Sequence, residues 1–236
     1  VTASAPRLLF WHTVFIGFNI AILAAGVIGG IERMVRLLMP TLFLLMIIMV
    51  INAMINGDFK AGLAYLFTPD FSKITPQVAT SALGQACFSI GIGNAIMLTY
   101  GSYLPKNVSI PKAAVGISLA DTLVALTAGL AIFPIVFAYG LEPGQGPGLV
   151  FVTLTVAFAD MPFGQVFGFT FFLLLTVAAW TSAISLLEPV VAWSVESKGW
   201  SRNSSSWLAG CLIWLLGILW LLSFNELKDF TPGGRN

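Results

Sequence analysis

The sequence carries very little charge. Only 9% of its 236 residues are Asp, Glu, Lys or Arg, whereas an average soluble domain has about 25%. Hydrophobic residues make up 58% of the chain, and the formal net charge is +1. A soluble protein could not keep this much apolar surface from water, and a net charge so close to zero gives no indication of a nucleic-acid partner. The composition therefore predicts a protein whose solvent is the lipid bilayer.

Cysteine and histidine are also scarce. The two cysteines, Cys87 and Cys211, both lie inside apolar runs, so neither is expected to form a disulfide or to bind a metal. The only histidine, His12, lies near the start of the first apolar run without a second ligand type nearby, and we interpret it as an interfacial side chain. Asp121 and Glu188 have no histidine, metal motif or activated nucleophile beside them. The sequence thus argues against an enzyme and against an organic cofactor.

Long apolar runs dominate what is present. A helix needs roughly 20 mostly apolar residues to cross the hydrocarbon core, and the sequence predicts six such spans, at 8–28, 37–55, 78–104, 113–139, 163–195 and 206–224. The runs are continuous rather than alternating, which excludes barrel strands and leaves helices. We therefore predict an all-α polytopic membrane protein, with the whole chain 1–236 in one transmembrane domain.

The cations are distributed unevenly between the predicted loops. Three alternate loops carry pairs of basic residues, namely Arg33 with Arg36, Lys106 with Lys112, and Lys198 with Arg202. By the positive-inside rule these loops are cytoplasmic. The first span then runs from outside to inside, and an even number of spans places both ends of the chain outside.

Two short segments lie on the predicted outer side. Residues 61–67 are apolar but too short to span, and we expect them to lie at the interface. Residues 146–160 open with Gly146-Pro147-Gly148 and end at Asp160. We predict a re-entrant or capping hairpin there.

The third span contains an unusual concentration of glycine. Gly91 and Gly93 lie at mid-span beside Ser89 and Asn94, although glycine costs about 1 kcal/mol relative to alanine inside a helix. Local unwinding would free backbone carbonyls for a cation or an ammonium group, and the new helix start would favour a carboxylate. Close helix packing through small residues explains the same pattern, and spacing alone leaves the two interpretations equal.

Asp121 lies well inside the fourth predicted span. Placing a carboxylate there costs at least about 2.5–3.5 kcal/mol. No Lys or Arg within the spans is available to neutralise it, so we favour a cation or a proton as its partner. The alternative is a carboxyl group kept protonated by desolvation.

The fifth span carries adjacent hydroxyl groups at mid-depth. Thr181 and Ser182 offer hard oxygen ligands for a small cation, although such residues often bond back to the preceding turn. Glu188, which precedes Pro189, is a second intramembrane acid. For Glu188 we favour a structural hydrogen-bonding role.

Several motifs, in this order along the chain, resemble those of the neurotransmitter:sodium symporter family, and the resemblance covers essentially the whole chain. They are Gly29-Gly30-Ile31-Glu32-Arg33, Met39-Pro40-Thr41-Leu42-Phe43, Thr68-Pro69-Asp70-Phe71, Gly84-Gln85, Thr99-Tyr100-Gly101-Ser102-Tyr103, Gly146-Pro147-Gly148-Leu149 and Thr181-Ser182. Most specifically, the chain is similar to the bacterial amino-acid transporters of the leucine-transporter type.

The resemblance implies a fold and an incomplete chain. The family core has ten helices in two inverted five-helix repeats, and these spans correspond to its fourth through ninth helices. The first helix of the family, which is broken and contributes to both sodium sites and the substrate site, would precede this chain. The chain begins with Val1 rather than Met, and we expect it to be part of a longer transporter.

The resemblance also implies site residues. The first sodium site would use Ser89 and Asp121, and the second would use the carbonyl of Ala178 with Thr181 and Ser182. The substrate site would be lined by Phe88, Ser89, Gly91, Asn94, Ser182 and Leu186, with Phe88 as an aromatic lid. Tyr103 and Glu196 would belong to a cytoplasmic gate.

Two positions depart from relatives. Many family members have Asn where Asp121 stands, and animal members need chloride near that position, so we hypothesise that the Asp121 carboxylate replaces chloride. Asn94 stands where the bacterial leucine transporter has a bulky aromatic residue, which predicts a pocket that accepts larger or polar side chains.

The predicted function is sodium-coupled symport of an amino acid by alternating access, in a multi-pass protein of the plasma membrane, by resemblance a bacterial inner membrane. A proton-coupled amino-acid permease of related fold is the nearest alternative. An ion-channel subunit is less favoured, because the polar groups are sparse and lie at one depth instead of forming a continuous pore.

Overall fold

In a computed structural model of the chain, residues 4–143 and 148–223 are described. These ranges form nine α-helices, which are α1 (Ala5–Ala24), α2 (Arg33–Asn56), α3 (Phe59–Phe67), α4 (Pro76–Ile90), α5 (Ile96–Ser102), α6 (Ile110–Ala138), α7 (Leu154–Asp160), α8 (Gly164–Lys198) and α9 (Arg202–Ser223). Segments of π-helix precede α2 and α7, at Val27–Glu32 and Leu149–Thr153, and a 3₁₀ turn occupies Phe71–Lys73. The all-α prediction is confirmed.

Five helical stretches are long and apolar enough to cross a membrane. They are Ala5–Ala24, Val27–Asn56, Ile110–Ala138, Gly164–Lys198 and Arg202–Leu222. The remaining predicted span, 78–104, corresponds to α4 and α5, with five non-helical residues between them. Local unwinding, one of the two interpretations of this segment, is therefore the one that the structure shows, and the break lies at the glycines.

The two predicted outer segments are helical where the structure describes them. Helix α3 contains the short apolar run 61–67, and Asp58 caps its first turn by accepting the N–H of Ala61 at 3.0 Å. The predicted hairpin opens at Gly146 and Pro147, which lie outside the described residues. Over Leu149–Asp160 the structure has a short apolar helix.

Residues 38–179 form one of two compact units. Its core consists of side chains from α2, α6, α7 with the residue that follows it, and α8, namely Met49, Ala53, Ala131, Ile135, Val136, Leu154, Ala157, Phe158, Met161 and Phe171. Helix α7, although too short to span a membrane, contributes Leu154, Ala157 and Phe158 to this core, so it is an integral part of the unit.

Helix α3 packs closely on α6 around Pro134. A Cβ on Gly62 would lie 2.5 Å from Pro134 Cγ, so only glycine fits at this contact. The N–H of Asp58 donates to the carbonyl of Pro134 at 2.9 Å. This contact holds the start of α3 against the C-terminal half of α6, the helix that carries Asp121.

The other compact unit comprises residues 1–37 and 180–236, of which 4–37 and 180–223 are described. Helices α1 and α9 meet at two glycines, because a Cβ on Gly210 would overlap Ile20 and a Cβ on Gly217 would overlap the His12 ring. His12 Nε2 lies 3.2 Å from the carbonyl of Trp214. His12 is thus part of a helix–helix contact that holds α1 beside α9.

Candidate functional site

The break between α4 and α5 is built from residues with a left-handed backbone. Gly91 ends α4 at φ 78° and ψ 29°, Gly93 has φ 88°, and Ala95 has φ 58°. The N–H of Ile92 donates to the carbonyl of Cys87 at 2.8 Å, which is the closing bond of a helix that ends in a left-handed residue. Residues 91–95 therefore lie outside the regular helical ladder, and their carbonyls are oriented differently from those of α4.

Ser89 and Asp121 are brought together beside this break. Ser89 lies in the last turn of α4, and its hydroxyl donates to Asp121 Oδ2 on α6 at 2.7 Å. Asp121 is half-buried. Two oxygens at this separation, one carrying a formal charge, are suited to share a small cation, and oxygen donors are what hard cations require.

The other residues predicted from this segment surround the break. Phe88 precedes Ser89 and is 74% exposed, and Asn94 lies within the break and is also exposed. Tyr103 follows α5 as its C-cap residue, and its ring lies 6.3 Å from that of Tyr100. The seven consecutive residues 88–94, at the end of α4 and in the break, thus contain four predicted substrate residues, namely Phe88, Ser89, Gly91 and Asn94.

The remaining predicted residues lie along α8. At 3.6 residues per turn, Ala178, Thr181 and Ser182 fall on one side of the helix. Leu186 lies one turn beyond Ser182 and is 56% exposed, and Glu196 is exposed in the last turns of α8. Since α8 passes from one compact unit into the other at residue 180, this set is described separately from the break.

Glu188 has a partner that sequence reasoning missed. Its carboxylate is fully buried and accepts two hydrogen bonds from Arg202, from Nη1 to Oε1 at 3.0 Å and from Nη2 to Oε2 at 2.6 Å. Arg202 Nε donates to the carbonyl of Leu23 at 2.8 Å. The arginine that the sequence placed in a cytoplasmic loop therefore joins α1, α8 and the start of α9. Glu188 thus has a structural hydrogen-bonding role, as we favoured, and its partner is the cation of Arg202.

The strained backbone of the break gives a first prediction. Gly93→Ala is expected to lower stability by about 1–2 kcal/mol, because an L-residue is disfavoured at φ 88°. A Cβ there would meet no atom within 4 Å, so crowding does not contribute. Gly84→Ala is the matched control, since Gly84 lies inside α4 with equally open surroundings, and alanine is expected to stabilise that helix by up to about 1 kcal/mol. Thermal unfolding in detergent measures both variants, and a Gly93→Ala protein as stable as Gly84→Ala contradicts the prediction.

Comparison with known proteins identifies relatives over most of the chain. A model of the sodium:neurotransmitter symporter family matches residues 8–225. An uncharacterized sodium-dependent transporter, YhdH of Bacillus subtilis, is 42% identical over 179 residues, which cover 76% of this chain and 40% of that protein. An uncharacterized sodium-dependent transporter of Haemophilus influenzae is 40% identical over 188 residues, which cover 80% of this chain and 41% of that protein.

A solved structure is similar over the full chain. The crystal structure of MhsT in complex with L-phenylalanine has a TM-score of 0.85 and 43% sequence identity, and the match covers 100% of this chain and 54% of that one. The chain spans about half the length of the relatives that it matches.

Proposed function

Since the chain belongs to the sodium:neurotransmitter symporter family, we propose that the transporter containing it couples the movement of an amino acid to that of sodium by alternating access. The family is one of sodium-dependent transporters and not of enzymes, and this chain is a multi-pass segment of a plasma-membrane protein. The proposal assigns the sodium and substrate sites to the residues around the break in α4–α5 and to one side of α8.

The observation that carries this proposal is the hydrogen bond between Ser89 and Asp121. It places a hydroxyl and a carboxylate 2.7 Å apart at the end of a helix that breaks in mid-span. In a membrane, a carboxylate without a basic neighbour is costly, and a sodium ion held by both oxygens would neutralise it. We therefore assign Ser89 and Asp121 to the first sodium site.

A second sodium site is proposed on α8. The carbonyl of Ala178 and the hydroxyls of Thr181 and Ser182 lie on one side of the helix and offer three neutral oxygens. A monovalent cation is held weakly by neutral oxygens, which suits an ion that must be released in every cycle.

The substrate is proposed to bind at the break itself. Backbone groups of Phe88, Ser89 and Gly91 would receive the amino group of an amino acid, in the manner of broken helices in transporters. Asn94 would contact its side chain, with Phe88 covering it. The polar amide of Asn94 supports a pocket that accepts more than branched aliphatic side chains, and the similar protein MhsT has been crystallised with L-phenylalanine.

A cytoplasmic gate is proposed from Tyr103 and Glu196. Tyr103 ends α5 and Glu196 lies near the end of α8. Of the two helices, α8 also carries the proposed sodium ligands Thr181 and Ser182.

Competition for uptake tests the proposed substrate class. We expect unlabelled phenylalanine and polar amino acids to inhibit sodium-driven uptake of a radiolabelled amino acid by the natural full-length protein, because Asn94 leaves room and a hydrogen-bonding group in the pocket. Uptake that only leucine and alanine inhibit contradicts this assignment.

A further inference from the structure

Trp180 lies on α8 immediately before the proposed sodium ligands Thr181 and Ser182, and nothing in the transport proposal uses it. Its ring stacks on two rings of α1, with centroids 4.7 Å from Phe18 at an interplanar angle of 29° and 6.1 Å from Phe15 at 6°. Phe15 and Phe18 are three positions apart, so both rings lie on the same side of α1. All three residues belong to the compact unit formed by the two ends of the chain.

The indole N–H of Trp180 makes this contact unusual. Its Nε1 is buried and has no hydrogen-bond partner among the described residues. An unsatisfied buried donor costs about 1–3 kcal/mol, and Phe or Leu at this position would avoid that cost. The large flat ring, rather than its polar atom, is therefore the feature that the contact uses.

The position of Trp180 on α8 connects this stack to the proposed ions. Along the helix Trp180 continues a row at every third or fourth residue with Ile184, Leu187 and Val191, which are all at most 3% exposed. Successive residues are about 100° apart around the helix axis. The mean angular position of Ala178, Thr181 and Ser182 is therefore roughly 150° from that of Trp180. The packed row and the proposed ligand side are thus opposite sides of one helix, and Trp180 is the member of the row at the level of the ligands.

We propose that Trp180 is a positioning residue for the sodium site on α8, a role that rests on the proposed function. Stacking on Phe15 and Phe18 fixes the rotation of α8 about its axis. That rotation sets the direction of the Thr181 and Ser182 hydroxyls and of the Ala178 carbonyl. A helix is stiff, so packing at the level of Trp180 fixes the orientation of the ligand groups on the opposite side of the helix. Packing several turns away fixes their orientation less directly.

The test is a sodium titration of uptake by the natural full-length protein in proteoliposomes. Trp180→Leu removes the stack, and we expect the half-saturating sodium concentration to rise about threefold to tenfold, with the rate at saturating sodium within about twofold of wild type, since the site is disordered and not removed. Trp180→Phe keeps an aromatic ring and loses only the unpartnered N–H, so it is expected to retain wild-type sodium dependence.

Trp193→Leu is the matched control, because Trp193 lies on the same helix but is 56% exposed, and it is expected to behave as wild type.

A second variant approaches the stack from α1. Phe18→Leu leaves α8 unchanged and alters a side chain that is 39% exposed, so it is expected to fold even where Trp180→Leu does not, and to raise the half-saturating sodium concentration in the same direction. The positioning role is overturned if the half-saturating sodium concentration is unchanged in every leucine variant, Trp180→Leu or Phe18→Leu, that reaches the membrane. It is also overturned if Trp180→Phe raises this concentration as much as Trp180→Leu does. Uptake by the wild-type protein that does not depend on sodium would instead overturn the proposed function, so the two failures are distinguishable.

Discussion

Replacing Arg202 by alanine is expected to destabilise the protein by about 3–5 kcal/mol, because it leaves a buried carboxylate without its cation. The carboxylate of Glu188 is fully buried, and the Arg202 side chain is only 22% exposed. Arg202 also donates from Nε to the carbonyl of Leu23 near the end of α1, so the variant loses a helix-end contact together with the ion pair. Thermal unfolding of the purified protein in detergent measures the loss.

The chain offers a matched control for this effect. Arg36 pairs with Glu32 one turn away, with side chains that are 77% and 51% exposed, and Arg36→Ala is expected to change stability by at most about 0.5 kcal/mol. Arg202→Lys keeps the charge but cannot make the paired contacts to Glu188 and reach Leu23 as well, so it should lie between wild type and Arg202→Ala. If Arg202→Ala is as stable as Arg36→Ala, the buried pair does not stabilise this unit.

Removing the charge of Asp121 is expected to have the second largest effect. In the proposed site the carboxylate faces sodium, and at a few ångströms such a pair is worth several kcal/mol even at an intermediate dielectric constant. Asp121→Asn should therefore lower uptake in chloride-free buffer by at least about tenfold, whereas chloride should restore part of it by supplying the missing negative charge. The wild-type protein should transport equally well when gluconate replaces chloride. Uptake of radiolabelled substrate in the two buffers measures each case.

Two further variants separate charge from hydrogen bonding. Ser89→Ala removes the hydroxyl that donates to Asp121 at 2.7 Å but keeps the charge of Asp121. It is therefore expected to raise the half-saturating sodium concentration without making uptake respond to chloride. Asp160→Asn changes an exposed acid at the end of α7 and should leave the chloride response as in wild type. A wild-type protein whose uptake collapses in gluconate contradicts the role given to the Asp121 carboxylate.

The broken helix was one of two interpretations that the spacing of the glycines left equal. Glycine tolerates a left-handed backbone at little cost, so Gly91 and Gly93 carried a local signal that the structure realises as positive φ angles. Ala95 has a positive φ as well, and no sequence rule would have placed an alanine there. The pattern allows a break, and the tertiary structure decides that the break forms and where it ends.

The partner of Glu188 shows what the sequence could not predict. Arg202 follows Glu188 by 14 positions and lies beyond the end of α8, so helical spacing does not bring the two together. The available signal was an intramembrane acid shortly before a loop and an arginine at the start of the next helix. By the positive-inside rule that arginine indicates orientation and says nothing about its partner.

Trp180 was missed for a different reason. An aromatic residue inside an apolar span is indistinguishable by pattern from any lipid-facing side chain, because the bilayer accepts both. Its stacking on Phe15 and Phe18 depends on contact between α1 and α8, which are far apart in the sequence. The meeting of Ser89 and Asp121 was likewise implied by resemblance to a family and not by spacing.

The coupling ion tests the central claim most directly. Binding of a radiolabelled amino acid to the purified full-length protein should require sodium and show the same half-saturating sodium concentration at pH 6 and pH 8, with choline or potassium unable to replace it. Substrate binding that is undiminished in sodium-free buffer, together with uptake driven by a proton gradient alone, would contradict sodium coupling and favour a proton-coupled permease of related fold.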